Sequence, residues 1–205
     1  MYNYLSKEAL LSGEAVVVLQ SETRIENYKQ IVNQGELVEC VGDIPSNWEY
    51  SVAEDVIYDS NDKPSPYHVL RNGKWEIGDI EGFKKYRIQV IEGLKEKVLA
   101  YGFDYQGHRQ RCRDKDVAFM VATITALQAA ATLGKKKRIT WYFEDNAGVE
   151  MGLNEMAGLM LLGTTFVQSV FDTENYFKTL ADCTVVTKEQ FEQKRKEIHE
   201  KLVSE

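Results

Sequence analysis

Cysteine is scarce: Cys40, Cys112 and Cys183 are the only three in 205 residues, and about seventy residues separate each from the next. They form no CxxC pair and no Cys/His cluster, which excludes a zinc site of the usual spacing. So sparse and odd a count also argues against a disulfide-dense secreted module and suits a reducing cytoplasm. The nucleotide-binding patterns GxxxxGK[ST] and strand-linked GxGxxG are missing, as is the nucleophile elbow GxSxG. The histidines His68, His108 and His199 fall in three different segments. The start, Met1-Tyr2-Asn3-Tyr4-Leu5, has neither a basic region nor an apolar signal core, so no export signal is expected. No metal and no cofactor is expected, and the chain reads as a non-enzymatic structural or binding protein.

Proline is as rare as cysteine and unevenly placed. Pro45, Pro64 and Pro66 all lie in the first part of the chain. Residues 1–79 hold 14 acidic against 6 basic side chains, a net charge of −8, while residues 80–205 hold 18 against 19. The acidic part is therefore broken and loop-rich, and the remainder is proline-free and periodic. A boundary near Asp79, in Gly78-Asp79-Ile80-Glu81-Gly82, separates the two. A charged C-terminal segment, 184–205, follows the second. With 43% hydrophobic and 28% charged residues, a chain of this size buries roughly 70% of its unfolded surface without a staple.

In residues 1–79 the apolar block Ala15-Val16-Val17-Val18-Leu19 predicts a buried strand. Ser21 followed by Arg24, then Ile25, Tyr28, Ile31 and Val32 at three- and four-residue spacing, predicts a helix ending at Gly35. Leu37-Val38-Glu39-Cys40-Val41 predicts a second strand. From Val56 to Trp75 a small β-meander is expected. Ile57-Tyr58-Asp59 and Tyr67-His68-Val69-Leu70 flank a turn-rich segment, and Asn72-Gly73 makes a hairpin. Its aromatics Tyr58, Tyr67 and Trp75 are expected to pack on one another rather than form a stacking platform.

Residues 80–183 read as helix, hairpin, helix, hairpin, helix. The first helix runs from Ile80 to Leu99, with Phe83, Ile88, Ile91, Leu94 and Val98 inward and Lys84, Lys85, Arg87, Lys95 and Lys97 in water. A hairpin turns at Gln106-Gly107. Asp114 or Asp116 caps the second helix, Val117 to Leu133, whose many alanines let another helix approach closely. Ile139, Trp141 and Phe143 alternate with polar residues into a turn at Asp145-Asn146-Ala147-Gly148. The third helix starts at Asn154-Glu155 and runs to about Ala181, its first half apolar nearly all round and so buried on several sides. The fold class is α+β, with a mostly helical C-terminal domain of three helices and two β-hairpins after a small α/β N-terminal region.

Two helices near twenty residues long raise a membrane-spanning reading. Gln128, Thr123, Thr125 and Thr132 in one, Glu155 and Gln168 in the other, and a mean hydropathy of −0.39 argue against it. Asp114 and Asp116 lack the spacing of a calcium loop. Arg109, Arg111 and Arg113 alternate along a strand, and Lys135-Lys136-Lys137-Arg138 follows a helix end. Phosphate binding needs such charge, but the chain carries −7 overall and the lysines sit where a helix dipole favours cations. The arginines are read as docking the acidic first part or an acidic partner, and nucleic acid is not the expected ligand. Thr187 and Gln190 form a capping box for a last helix to Val203. Phe191, Ile198 and Leu202 fall on one seam of it, which would pack on its own domain or, as a short coiled coil, on another copy or a partner. An oligomeric or partner-bound protein is expected.

The order of features from Phe83 to Thr179 resembles a domain family found in tail-fibre and tail-fibre-assembly proteins of tailed bacteriophages. The similar features are an opening charged helix, Gly-Phe-Asp-Tyr-Gln-Gly-His-Arg at 102–109, and Arg-Asp-Lys-Asp at 113–116. An alanine-rich helix and Ile-Thr-Trp at 139–141 follow. Upstream, Tyr67-His68-Val69-Leu70-Arg71-Asn72-Gly73-Lys74-Trp75 is similar to a strand that ends a preceding piece in that family. Residues 1–50 and 184–205 match nothing in it. The resemblance implies a phage tail context: a structural component joining fibre to tail, or an assembly chaperone not retained in the particle. Other tail or tail-fibre proteins would be its partners, and it would reside in the virion tail after assembly in the host cytoplasm.

Overall fold

A computed structural model of the chain describes residues 1–31, 35–181 and 184–204. The chain forms two units, Met1–Phe83 and Lys84–Glu205, and the fold is mixed α+β with a helical C-terminal part.

The first unit is built on a three-stranded antiparallel sheet. Strand β1 (Tyr2–Ser6) lies between β2 (Val17–Ser21) and β3 (Leu37–Val41), and the short helix α1 (Lys7–Leu11) follows β1 directly. Ser6 caps α1 by accepting from the Ala9 amide at 3.3 Å. The adjacent residues Tyr4 and Leu5 are both fully buried, as are Leu37 and Val38. A central strand covered on both faces loses the inward–outward alternation. Leu5 joins Leu10, Val38 and Cys40 in one core, while the Tyr4 ring meets Tyr28 at 4.8 Å and its hydroxyl accepts from the Ile25 amide at 2.7 Å.

Three expectations for this unit change. The valine block is not a buried strand but the sheet edge, with Val16 and Val17 exposed, because β1 takes the centre. The helix expected over 21–35 is only a 3₁₀ turn at Tyr28–Gln30, and Val32 lies outside the described residues. Tyr4 anchors this stretch through the Ile25 backbone, a tertiary contact that overrides weak helical spacing. The expected meander is two separate hairpins. Strand β5 (Val56–Asp59) pairs with β4 (Trp48–Ser51), and β6 (His68–Arg71) with β7 (Lys74–Ile77). Tyr58 and Trp75 meet edge-to-face at 5.0 Å, whereas Tyr67 turns toward Gly82. The region thus holds mostly strands, with the one short helix α1.

In the second unit, α2 (Ile80–Tyr101) ends at Gly102, whose φ of 81° and close approach to the Gln110 carbonyl leave no room for a Cβ. Strands β8 (Phe103–Tyr105) and β9 (His108–Gln110) turn at Gln106-Gly107 and lead into α3 (Asp114–Thr132). A second hairpin, β10 (Ile139–Tyr142) with β11 (Gly148–Met151), precedes α4 (Leu153–Thr179), and α5 (Lys188–Ser204) closes the unit. One core gathers Ile91, Val98, Phe166, Val170, Phe177 and Phe191 from α2, α4 and α5. The other gathers Met120, Leu127, Trp141, Met151, Met156 and Leu159 from α3, β10–β11 and α4. Phe103 packs against both.

Two expectations fail here. Arg87 is buried, not in water, and Ile88 is exposed. Arg87 lies four residues from both Phe83 and Ile91, on the inward stripe itself, and its Nε donates to the Thr184 carbonyl at 3.0 Å. Lys95, also expected in water, folds onto the buried Glu174 at 3.2 Å. The first half of α4 is buried on one side only: Leu161 is 69% exposed, and Leu162 and Phe171 are exposed as well.

Candidate functional site

The arginine strand is fastened to the neighbouring hairpin. Glu144, in the turn after β10, receives Arg109 at 3.1 Å and also Arg111, while its own amide donates to the Arg109 carbonyl at 3.0 Å. His108 Nδ1 lies 2.8 Å from the Asp145 carboxylate, which can only accept, and the imidazole stacks on Phe143 at 5.1 Å. That bond, with the Ala147 amide, holds the Asp145 carboxyl below its usual range. Trp141 Nε1 donates to Gln110 Oε1 at 2.8 Å, and the Gln110 amide donates to the Arg111 carbonyl at 2.7 Å. Arg109 also lies over the Tyr101 ring at 4.8 Å, and its buried Nε makes no hydrogen bond. The returning strand of the first hairpin is thereby clasped to the turn of the second.

Arg113 is committed too. Its Nε donates to Asp116 at 2.8 Å, and its backbone amide donates to the same carboxylate at 3.1 Å. The helix begins three residues earlier than expected, at Asp114, so Arg113 is its N-cap and Asp116, its third residue, reaches back to the Arg113 amide. Burial pushes its carboxyl up, but the Arg113 side chain and amide outweigh this and hold it below the usual range. Each of the three arginines named from the sequence thus holds a carboxylate of the second unit itself. The signal that would have shown this was Glu144-Asp145 in the turn of the next hairpin.

The seam on α5 does not stay together either. Phe191 is fully buried and stacks on Phe177 at 6.0 Å, so it is unavailable to a partner. Ile198 and Leu202 are half-buried. Of the basic run, Arg138 pairs with Glu155 at 3.2 Å and donates to the Glu150 carbonyl at 2.7 Å, and its lysines are exposed. Cys112 is buried, its thiol pushed up to about 12 by burial and by the nearby Asp116, and so is poorly suited to nucleophilic chemistry.

Two surfaces remain: the small-residue side of the alanine-rich helix, expected to let another helix approach, and one that the sequence did not point to. Helix α3 carries no charge from Val117 to Leu133. Its outward positions Ala118, Val121, Ala122, Thr125, Ala126 and Ala129 are all exposed. The second surface is a cavity of about 900 Å³ between α2, β8, α4 and α5, floored by Phe103, Phe166 and Phe191. Among the described residues no three His, Cys, Asp or Glu side chains converge as metal ligands would, and no helix is long and apolar enough to cross a membrane. Compared with the models of known protein families, with curated proteins and with solved structures, the chain matches none.

Proposed function

We propose that the chain is a non-enzymatic bacteriophage tail protein that works by binding other proteins, as a structural component joining tail fibre to tail. One observation carries the binding part: the uncharged, solvent-facing side of α3. In a chain with 28% charged residues, a helix face of alanine, valine and threonine is hydrated weakly and lets another backbone approach closely. The pairing of Arg109, Arg111 and Arg113 with Glu144 and Asp116 supports protein over nucleic acid as the partner, since paired arginines release fewer phosphate counterions. The tail context rests on the resemblance of residues 83–179 to the tail-fibre domain family.

The assembly-chaperone reading uses the same surface but predicts release from the finished particle. Mass spectrometry of purified particles and of infected-cell lysate decides between them. A structural component is found in both, in a fixed ratio to other tail proteins. A chaperone is found in the lysate alone. Absence from both, or unchanged tail association after Ala122→Glu and Ala129→Glu in a folded protein, would sink the proposal.

A further inference from the structure

We propose that the cavity between α2, α4 and α5 binds a small amphipathic anion, with an apolar body and one carboxylate, sulfonate or phosphate group. This inference is independent of the tail reading. At about 900 Å³ the cavity lies in the range of small-molecule sites, which join apolar walls to a few placed polar groups. Its floor is Phe103, Phe166, Phe191, Leu94 and Val98.

The polar groups around that floor are mostly of one sign. Lys97, Lys188, Arg195 and Lys196 line the cavity, against Asp104 and Glu192. Lys97 comes from α2 and the other three cations from α5, ninety residues on, so the fold gathers them. Glu192 is already engaged by Arg195 Nε at 3.0 Å. Among the described residues Lys97 of α2 and Lys188 and Lys196 of α5 hold no carboxylate, whereas Lys95 of α2, Lys178 of α4 and Lys194 of α5 each do. In a chain of net charge −7, unpaired cations brought together over an apolar floor make a local field that an anion would complete.

Two further residues favour a bound group. The Arg195 side chain is only 12% exposed, and its guanidinium lies 5.0 Å from the Phe166 ring centre. Its carboxylate contact is through Nε, which leaves the terminal nitrogens for a second anion. His199 also lines the cavity, and its Nδ1 is buried without any hydrogen-bond partner. A buried polar nitrogen left unpaired is costly, and a ligand oxygen reached by a ring rotation would satisfy it.

The test uses the full chain and two fluorescent probes of similar shape, 1-anilinonaphthalene-8-sulfonate and the neutral N-phenyl-1-naphthylamine. The sulfonate should bind one site per chain, at least about tenfold more tightly than the neutral probe. Lys97→Glu and Lys196→Glu alter exposed, unpaired side chains, so the fold should survive, which thermal melting checks. Each should weaken the sulfonate by about tenfold while leaving the neutral probe unchanged. Lys136→Glu, outside the cavity, should change neither. Equal affinity for both probes, or equal weakening by Lys136→Glu and Lys196→Glu, would overturn the proposal, as would sulfonate binding unchanged in the cavity variants.

Discussion

Trp141 and Gln110 satisfy one another inside the second unit: the indole N–H donates to the side-chain amide oxygen at 2.8 Å, and both residues are buried. Neither has water to fall back on. Trp141→Phe keeps most of the ring volume but strands the Gln110 oxygen, and should cost about 1–3 kcal/mol. Trp141→Ala also opens a cavity and should cost about 3–5 kcal/mol. Pairing Trp141→Phe with Gln110→Leu should cost less than the two single changes together. Urea unfolding of the four variants measures this, and strict additivity would show that the bond contributes nothing.

Glu144 holds two arginines with one carboxylate whose side chain is 18% exposed. Glu144→Gln should cost about 1–3 kcal/mol by leaving both guanidinium groups short of charge. It should also turn a neutralised hairpin into a basic one. The parent protein should bind duplex or single-stranded DNA no tighter than about millimolar at physiological salt, and the variant measurably better. Tight, salt-sensitive binding by the parent, abolished by Arg109→Ala, Arg111→Ala and Arg113→Ala together, would favour nucleic acid as the partner.

Glu174 gives the second unit an acid limit. Burial raises its carboxyl pKa, but hydrogen bonds from Lys178 and Lys95 outweigh this and hold it below the ordinary 4.5. A carboxyl depressed on folding adds stability that is complete above its unfolded pKa and is lost as pH falls through its folded value. Stability should therefore drop as pH falls below about 4.5. Glu174→Gln should destabilise by about 1–3 kcal/mol at pH 7 and flatten that slope. Urea midpoints from pH 7 to pH 3 check it.

His68 sets a higher limit for the first unit. Burial, with Lys63 nearby, lowers its pKa below 6.5, and its Nδ1 lies 2.7 Å from Ser65 Oγ. The unfolded chain then takes up this proton first, so stability is lost as pH falls from 6.5 toward the lower folded value. His68→Gln should remove this step, read as the acid shift of the first unit's unfolding midpoint.

The role of α5 follows from Phe191. Because that ring is fully buried against Phe177, Phe191→Ala should cost about 3–5 kcal/mol. Removing residues 187–205 should lower the melting temperature sharply rather than leave a folded core with weaker association. Light scattering beside thermal melting separates these outcomes: an unchanged melting temperature with a smaller particle mass would restore the coiled-coil reading.

Elements specified by neighbouring residues were legible in the sequence. Gln106-Gly107, Asn72-Gly73 and Asp145 to Gly148 each turn a hairpin where their turn chemistry says. The long helices follow their apolar period. What escaped depends on distant partners. Tyr4 and Leu5 belong to a strand buried on both faces, which has no alternation to read. Arg87 counted as a wet residue until the Thr184 carbonyl came to it. The cavity was hidden for the same reason, since Lys97 and Lys196 each look like part of an ordinary solvated helix face until α2 and α5 are brought together.

Phe103 sits between the two cores of the second unit and packs against both, meeting Phe166 of one at 5.6 Å. A ring shared in this way makes cooperativity a property of one side chain. Loosening either cluster withdraws support from the other, so the slowest-exchanging amides of α2 and α3 should open together, at one common free energy. Phe103→Ala should split that event in two, so that unfolding of the second unit acquires an intermediate.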